Sequence, residues 1–237
     1  MDNPVSISLI VPVYEEEYDV VPNIDALAIK LNELGVDYEL LVFLSAKRYA
    51  TFPRFLVANK RIKFFYHCDH TELGGIFRRG IKLAEKKHVG IMPPYNQITL
   101  ESVKDILKTL KNYDMVVAYI KNHGARPWYR AAASLTNTWL INLLFGLRLR
   151  YYHFNFYKTA LVQRVIFTTD SHAAMVEASV WMAKSGVSLI QVPFTMIPHN
   201  FESKSKALKT KNIINIFKTY ARLFWRVMIL RKRIKFN

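Results

Sequence analysis

The chain has 237 residues, which suits one large domain or a domain with an appendage. Its apolar fraction of 51% excludes an intrinsically disordered protein, and its single cysteine, Cys68, excludes an internal disulfide. The net charge of +16 predicts an anionic partner: nucleic acid, an anionic membrane or a phosphorylated ligand. Nine of the 18 acidic residues precede residue 40, whereas basic residues dominate the last forty. This asymmetry predicts a basic end that works against a surface.

The first half of the chain alternates between short apolar runs and segments with helical periodicity. The predicted strands are Ile7–Val13, Tyr38–Leu44, Lys63–Tyr66, Val89–Met92 and Met115–Tyr119, and the predicted helices are Asn23–Leu34, Glu72–Glu85 and Leu100–Leu110. Such alternation predicts an α/β fold with a mostly parallel sheet and crossover helices.

The end of the first strand is the first candidate binding site. Pro12 and Tyr14 close the strand, and three glutamates centred on Glu16 follow. Ligands of open α/β sheets bind beyond the carboxyl ends of the strands, which points to Pro12, Tyr14 and Glu16. Alternatively, the glutamates form the acidic first turn of the next helix.

The pattern changes after residue 125. Trp128–Leu147 is a long, mostly apolar helical stretch with Arg126 and Arg130 near its start, and Leu189–Met196 is a further strand candidate. The aromatic run from Tyr151 to Tyr157 suits a core, although it also suits stacking on a sugar or base, or contact with lipid.

The last predicted helix, Asn212–Lys235, is basic and amphipathic. Lys218, Arg222 and Arg226 recur at every fourth position and therefore share one face. With Trp225, this pattern favours an interfacial anchor that faces a membrane, and the alternative is a core-packing helix with snorkelling cations. The segment carries too many charges for a membrane span.

Two histidine-containing segments invite a metal hypothesis that their spacing does not favour. The contiguous ligand types of residues 67–70 do not match zinc spacing, because neighbours on a strand point to opposite faces. His172 and Glu177 are five apart, which is poor helical spacing for a shared metal.

Several motifs together resemble the family-2 glycosyltransferases of GT-A fold, most of all the polyprenyl-phosphate branch that includes dolichol-phosphate mannose synthase. The likeness covers roughly residues 5–206 in element order. The residues that carry it are Pro12-Val13-Tyr14 with Glu16 and Glu17, Leu73-Gly74-Gly75 with Gly80 and Ala84, Arg126 and Arg130 with the apolar run to Gly146, Val192-Pro193-Phe194, and Ser203-Lys204-Ser205-Lys206.

The resemblance implies a GT-A domain at residues 1–206 and a basic amphipathic helical tail at residues 207–237. It also implies roles for individual residues. The donor-binding residues would be Pro12, Tyr14, Glu16 and Ser45, the phosphate-binding residues Arg126, Arg130, Lys204 and Lys206, and the membrane-facing residues Lys218, Arg222, Trp225 and Arg226.

The family's acidic positions are replaced throughout. The metal-binding Asp-X-Asp position has Pro93-Pro94-Tyr95, the nucleoside-binding acids after the second strand are replaced by residues up to Ser45 and Ala46, and the glutamate of the late strand is Gln191. Magnesium and manganese need oxygen ligands, above all carboxylates, so no metal cofactor is predicted. Lysines and arginines would have to neutralise the diphosphate instead.

Three functions follow from these observations. The first is a membrane-associated glycosyltransferase that moves a sugar from a nucleotide donor to a polyprenyl-phosphate-type acceptor. The second is a catalytically inactive GT-A protein that binds a phosphorylated lipid, a glycan or a partner transferase, with a second copy of the chain as a further partner. A nucleic-acid binder ranks last, because charge alone suggests it. The N-terminus has no signal-peptide pattern, so the expected location is cytoplasmic, peripheral on the inner face of a membrane.

Overall fold

The computed structural model describes residues 4–14, 20–45, 59–68, 72–94, 98–197 and 210–231. Strands and helices alternate along most of the chain. In order they are β1 (Ser6–Val13), α1 (Val20–Glu33), β2 (Asp37–Ser45), β3 (Ile62–His67), α2 (Leu73–Leu83), β4 (His88–Ile91), α3 (Leu100–Leu110), β5 (Met115–Ile120), α4 (Trp128–Phe145), β6 (Asn155–Lys158), α5 (Thr159–Val162), α6 (Ala173–Lys184), β7 (Leu189–Phe194) and α7 (Thr210–Phe224), which a π-helical turn at Trp225–Ile229 extends.

The strands form one seven-stranded sheet in the order β3-β2-β1-β4-β6-β5-β7. All neighbouring pairs are parallel except those of β6, which runs antiparallel between β4 and β5. The prediction of a mostly parallel α/β sheet is therefore confirmed. Because β1 and β4 are parallel neighbours, Tyr14 and the segment after Ile91 lie at the same carboxyl edge.

Alternating residues of β1 pack against opposite layers of helices. Ile10 belongs to a core that includes Phe77 of α2 and Phe145 of α4, whereas Leu9 and Val11 belong to a second core with α1 and α3. Burial on both faces explains why the central strands are continuous apolar runs rather than alternating ones.

Two glycines of α2 allow close packing against neighbouring segments. A Cβ atom at Gly80 would collide with the side chain of Ile10, and one at Gly74 would collide with the backbone carbonyl oxygens of Asp170 and Ser171. These two glycines therefore bring α2 onto β1 and onto the segment that precedes α6.

Two carboxylates of β2 lie near its amino end and are held in ion pairs. Asp37 pairs with Lys86 at 2.6 Å, and Glu39 pairs with Lys63 at 2.8 Å. Burial alone would raise the pKa of Glu39, but hydrogen bonds from Lys63, Ser8 and the backbone outweigh it and the pKa is lowered. Both acids lie at the opposite end of β2 from the edge that binds ligands in open sheets.

The second half of the sheet differs most from the sequence prediction. The strand β6 and the helix α6 were not predicted, and the predicted strand Leu189–Met196 ends at Phe194. The predicted C-terminal helix begins at Thr210, two residues early, and its last turn before Arg231 is π-helical. In the described parts of the chain, no helix has both the length and the apolar character that crossing a bilayer requires.

Candidate functional site

A cleft of about 780 Å³ lies at the carboxyl edge of the sheet, where β1 and β4 end. Its walls come from the ends of these strands, from α4 and α7, and from the segments before β6 and α6. Apolar and aromatic residues dominate the lining, among them Ile91, Ile98, Leu140, Phe154, Met175, Phe194, Met196 and Phe217. A concave, mostly apolar site with a few polar groups is the usual form of a small-molecule binding site.

Pro12 and Tyr14 line this cleft, as expected for residues at the end of the first strand. The Tyr14 ring contacts His67 edge-on, with ring centroids 5.5 Å apart. His67 lies at the end of β3, and its ring nitrogens approach the carbonyl oxygens of Val13 at 3.2 Å and Cys68 at 2.9 Å. His67, two strands away in the sheet, thus packs against Tyr14 and the end of β1.

Pro93 and Pro94 also line the cleft, directly after β4. This is the position at which the resemblance implies metal-binding carboxylates. Neither side chain offers an oxygen ligand, and the described residues include no cluster of three histidine, cysteine or acidic side chains able to hold a metal ion. The donor set therefore does not fit the implied metal. Tyr95 lies outside the described residues.

Arg126 lies just before α4 and Arg130 lies in its first turn, and both line the cleft. Arg126 hydrogen-bonds the hydroxyl of Tyr151, whose pKa is nevertheless raised by burial. The buried Nε of Arg126 has no hydrogen-bond partner among the described residues. A buried donor on a fixed cation is suited to bind an anion.

Two histidines share the cleft with these arginines. The pKa of His153 is lowered to about 4, mainly by burial and in smaller part by the neighbouring His172 and Arg126. Burial also lowers the pKa of His172. Both imidazoles are therefore neutral at pH 7, and the described lining residues include no carboxylate. The cleft combines an apolar body with a positive wall.

The remaining predicted residues lie elsewhere. Ser45 ends β2 as a buried residue and is not among the described residues that line the cleft. Glu16, Lys204 and Lys206 lie outside the described residues, so their roles stay predictions.

The predicted membrane-facing residues of the C-terminal helix divide into two groups. Lys218 and Trp225 are exposed. Arg222 donates to the carbonyl oxygen of Thr168 at 3.3 Å, and Arg226 donates to that of Ile166 at 3.1 Å. These two guanidinium groups therefore hold the helix against the segment that precedes α6.

Sequence reasoning missed His153 and His172 as cleft residues. His153 lies within the aromatic run, whose other members Tyr152, Phe154 and Tyr157 are buried as the core interpretation predicts. His172 was weighed only as a metal ligand. Only the packing of α6 beside β6 brings the two histidines together, and no local pattern in the sequence signals it.

Comparisons with known proteins bear on the fold. No protein-family model matches the sequence, and no curated protein does. Among solved structures, glucosyl-3-phosphoglycerate synthase from Mycobacterium tuberculosis in complex with UDP matches with a TM-score of 0.67 at 12% identity, covering 92% of this chain and 80% of that chain. The same enzyme in complex with Mn²⁺, UDP-glucose and phosphoglyceric acid matches with a TM-score of 0.65 at 12% identity, covering 92% and 79%.

A likeness at such low identity concerns the arrangement of the backbone and not the chemistry of the site. It spans 92% of this chain, and the chain itself has the seven-stranded, mostly parallel sheet described above. The protein therefore has the GT-A fold of glycosyltransferases.

Proposed function

We propose that this protein is a membrane-associated glycosyltransferase that transfers a sugar from a nucleotide donor to a polyprenyl-phosphate-type acceptor in glycan assembly. The observation that supports this most strongly is the apolar cleft at the carboxyl edge of the sheet, with Arg126 and Arg130 on its wall. An apolar cleft with a cationic wall suits a ligand that has both a phosphate group and a hydrocarbon body.

The proposed donor side of the cleft is the end of β1. Tyr14 offers an aromatic ring and a hydroxyl group there, and Pro12 forms the adjoining wall. The solved structures with the same fold include complexes with UDP and UDP-glucose, which supports a nucleotide sugar as the donor. Lys204 and Lys206 are further proposed phosphate contacts, on sequence alone.

The proposed reaction needs no acidic side chain in the cleft. An acceptor phosphate oxygen attacks the anomeric carbon of the donor sugar, and the bond from that carbon to the diphosphate breaks. The nucleoside diphosphate leaves with the electron pair. Because a phosphate acceptor is already an anion, no general base is required. Arg126 and Arg130 would stabilise the charge that develops on the leaving diphosphate.

The apolar lining suits the other part of the acceptor. Leu140, Met175, Met196 and Phe217 line a volume of about 780 Å³, which exceeds what a phosphate group alone would fill. A hydrocarbon chain would bury these side chains, and each buried methylene group contributes about 0.8 kcal/mol.

A second candidate function is binding without catalysis. Proline at the implied metal position and the absence of a carboxylate from the described cleft lining favour a GT-A protein that holds a phosphorylated lipid, a glycan or a partner transferase. The same cleft serves both functions, so only turnover separates them.

Calorimetric titration with UDP, GDP and their sugars, each with and without Mn²⁺, tests donor binding. A transfer assay with a polyprenyl phosphate acceptor and a radiolabelled sugar tests catalysis. The proposal expects a product whose formation is insensitive to a chelator. Binding of the lipid phosphate without turnover would support the second candidate, and binding of neither ligand would exclude the transferase and leave only a glycan or a partner transferase as the ligand of the second candidate.

A further inference from the structure

The outer side of α4 carries large apolar side chains in solvent. Trp128, Leu135, Trp139 and Leu143 are 80%, 52%, 64% and 65% exposed. Spacings of seven, four and four residues place them along one helical face, with the exposed Ala132 between the first two. We call these four residues the outer stripe.

The outer stripe is unusual for a water-facing surface. Single exposed apolar residues are normal, but four on one helical face form a continuous patch, which typically marks an interaction site. No charged residue occurs between Arg130 and Arg148, so α4 beyond its first turn lacks the ionised groups that usually cover a solvent-facing side.

A second exposed apolar group lies on the helix that packs against α4. The Tyr220 hydroxyl donates to Asn137 Oδ1 at 2.9 Å, and the rings of Phe145 and Phe224 are 6.1 Å apart. On this partner helix, Phe217 and Trp225 are 55% and 59% exposed. The α4–α7 pair therefore exposes three tryptophans, residues that favour the interface between bilayer and water.

The positive charge of the second half of the chain indicates which kind of surface the outer stripe would contact. Residues 115–237 contain 19 basic and three acidic residues, and residues 115–169 contain no acidic residue at all. Arg148 and Arg150 follow α4 and are exposed, as is Lys218 on α7. Cations that border apolar and aromatic side chains are the pattern of proteins that lie on anionic membranes.

The mouth of the cleft borders the outer stripe. Thr136 is exposed and also lines the cleft, and it neighbours Leu135 of the stripe. Phe217 likewise both lines the cleft and is exposed. A lipid whose headgroup reached this rim would meet the apolar lining directly.

We infer that the outer stripe docks this protein on an anionic lipid bilayer, with the mouth of the cleft at headgroup level. The outer stripe, rather than the Arg222 and Arg226 side of the C-terminal helix, is the apolar contact, because those two arginines donate to the domain's own carbonyl groups. The inference deepens the proposed function and depends on it only for the choice of acceptor.

Vesicle flotation of the full chain tests this inference. The probes are vesicles of phosphatidylcholine alone and of phosphatidylcholine with 30% phosphatidylglycerol, at low and high salt. The test variant carries serine at all four stripe positions: Trp128→Ser, Leu135→Ser, Trp139→Ser and Leu143→Ser. The control is Ile29→Ser on α1, an exposed apolar residue away from the stripe.

Wild type and Ile29→Ser are expected to float with anionic vesicles, and the stripe variant at least tenfold less. Brominated lipid should quench tryptophan fluorescence less in Trp128→Phe/Trp139→Phe than in wild type. Undiminished flotation of the stripe variant would overturn the inference, as would a wild type that binds no vesicles but forms dimers that the stripe variant abolishes.

One further variant separates this inference from the proposed function. Arg126→Ala/Arg130→Ala changes the cleft and should still float with anionic vesicles. The stripe variant should still bind UDP with wild-type affinity. Loss of UDP binding in the cleft variant alone would support the role of the cleft. Loss of flotation in the stripe variant alone would support the docking surface.

Discussion

Residues 1–114 and residues 115–237 are nearly equal in length but differ in charge. The first part contains 15 basic and 15 acidic residues, whereas the second contains 19 basic and three acidic ones. The entire net charge of +16 therefore comes from the second part, which also supplies Arg126, Arg130, His153 and His172 to the cleft.

The charges of the two parts have different roles: those of the first part pair within the fold, and those of the second part are available to attract ligands. In the first part, charges neutralise one another in pairs such as Asp37–Lys86 and Glu39–Lys63. In the second part basic residues far outnumber acidic ones, and several of them line the cleft or are exposed to solvent. Attraction of anionic ligands and surfaces should thus come from residues 115–237, and stability from the packing of both parts.

The largest effect is expected from a substitution that disrupts the packing of the neutral part. Gly80→Val would force a side chain into Ile10, so we expect a loss of about 3 kcal/mol of unfolding free energy. Urea unfolding at pH 7 measures it. Gly124→Ala in the basic part meets no atom within 4 Å and is the control. Equal stability of the two variants would contradict the packing described for α2.

A pH effect should come from the basic part. The pKa of His153 is lowered to about 4 in the folded protein, whereas it is about 6.5 in an unfolded chain. The unfolded chain binds the proton first, so stability falls as pH drops from about 6.5 to 4, by about 2 kcal/mol at pH 5. Unfolding free energies at pH 7 and pH 5 should differ less in His153→Gln than in wild type, and equal differences would refute the assignment.

The affinity for UDP should depend on Arg126 in the cleft more than on the overall charge of the basic part. Arg126→Ala removes a half-buried cation from the cleft, and we expect UDP affinity to fall about tenfold, or ~1.4 kcal/mol. Isothermal calorimetry measures the change. Arg148→Ala removes the same charge from an exposed site that is not among the described lining residues, and should leave the affinity unchanged. Similar losses in both variants would show that the field of the basic part, not the cleft, attracts the nucleotide.

The smallest predicted effect concerns how the C-terminal helix is held. Arg226 donates to the Ile166 carbonyl and lies 5.2 Å from the centre of the Trp181 ring. Arg226→Ala should therefore cost about 1 kcal/mol of unfolding free energy. Lys218→Ala, an exposed change on the same helix, should cost under about 0.5 kcal/mol. A larger loss from Lys218→Ala than from Arg226→Ala would contradict the role of Arg226 in holding α7 against the domain.

The sequence predicted the scaffold better than the cleft, for physical reasons. β1, β2 and β5 are continuous apolar runs because they are buried on both faces, and that signal is local. α6 was missed because nearly all its residues are buried, so it lacks the polar side that marks an amphipathic helix. β6 has four residues inside an aromatic run, and no local pattern gives its antiparallel position.

In the cleft, sequence analysis predicted residues that lie at or near the ends of strands and helices. It did not predict the residues that only tertiary packing brings into the cleft. Pro12 and Tyr14 were predicted from their position at the end of a strand, Arg126 and Arg130 from the family resemblance, and all four line the cleft. His153 and His172 enter it from separate segments, and their place depends on contacts between distant elements. The sequence likewise did not predict that the outer stripe is exposed, because an apolar helix of this length is usually buried.

Gly74 has a consequence that extends beyond the packing of α2. The backbone oxygens of Asp170 and Ser171 occupy the space of a missing Cβ atom, and the next residue, His172, lines the cleft. A mutation to alanine at position 74 would displace the backbone that leads to this histidine. The shape of the cleft in the basic part therefore depends on a missing side chain in the neutral part.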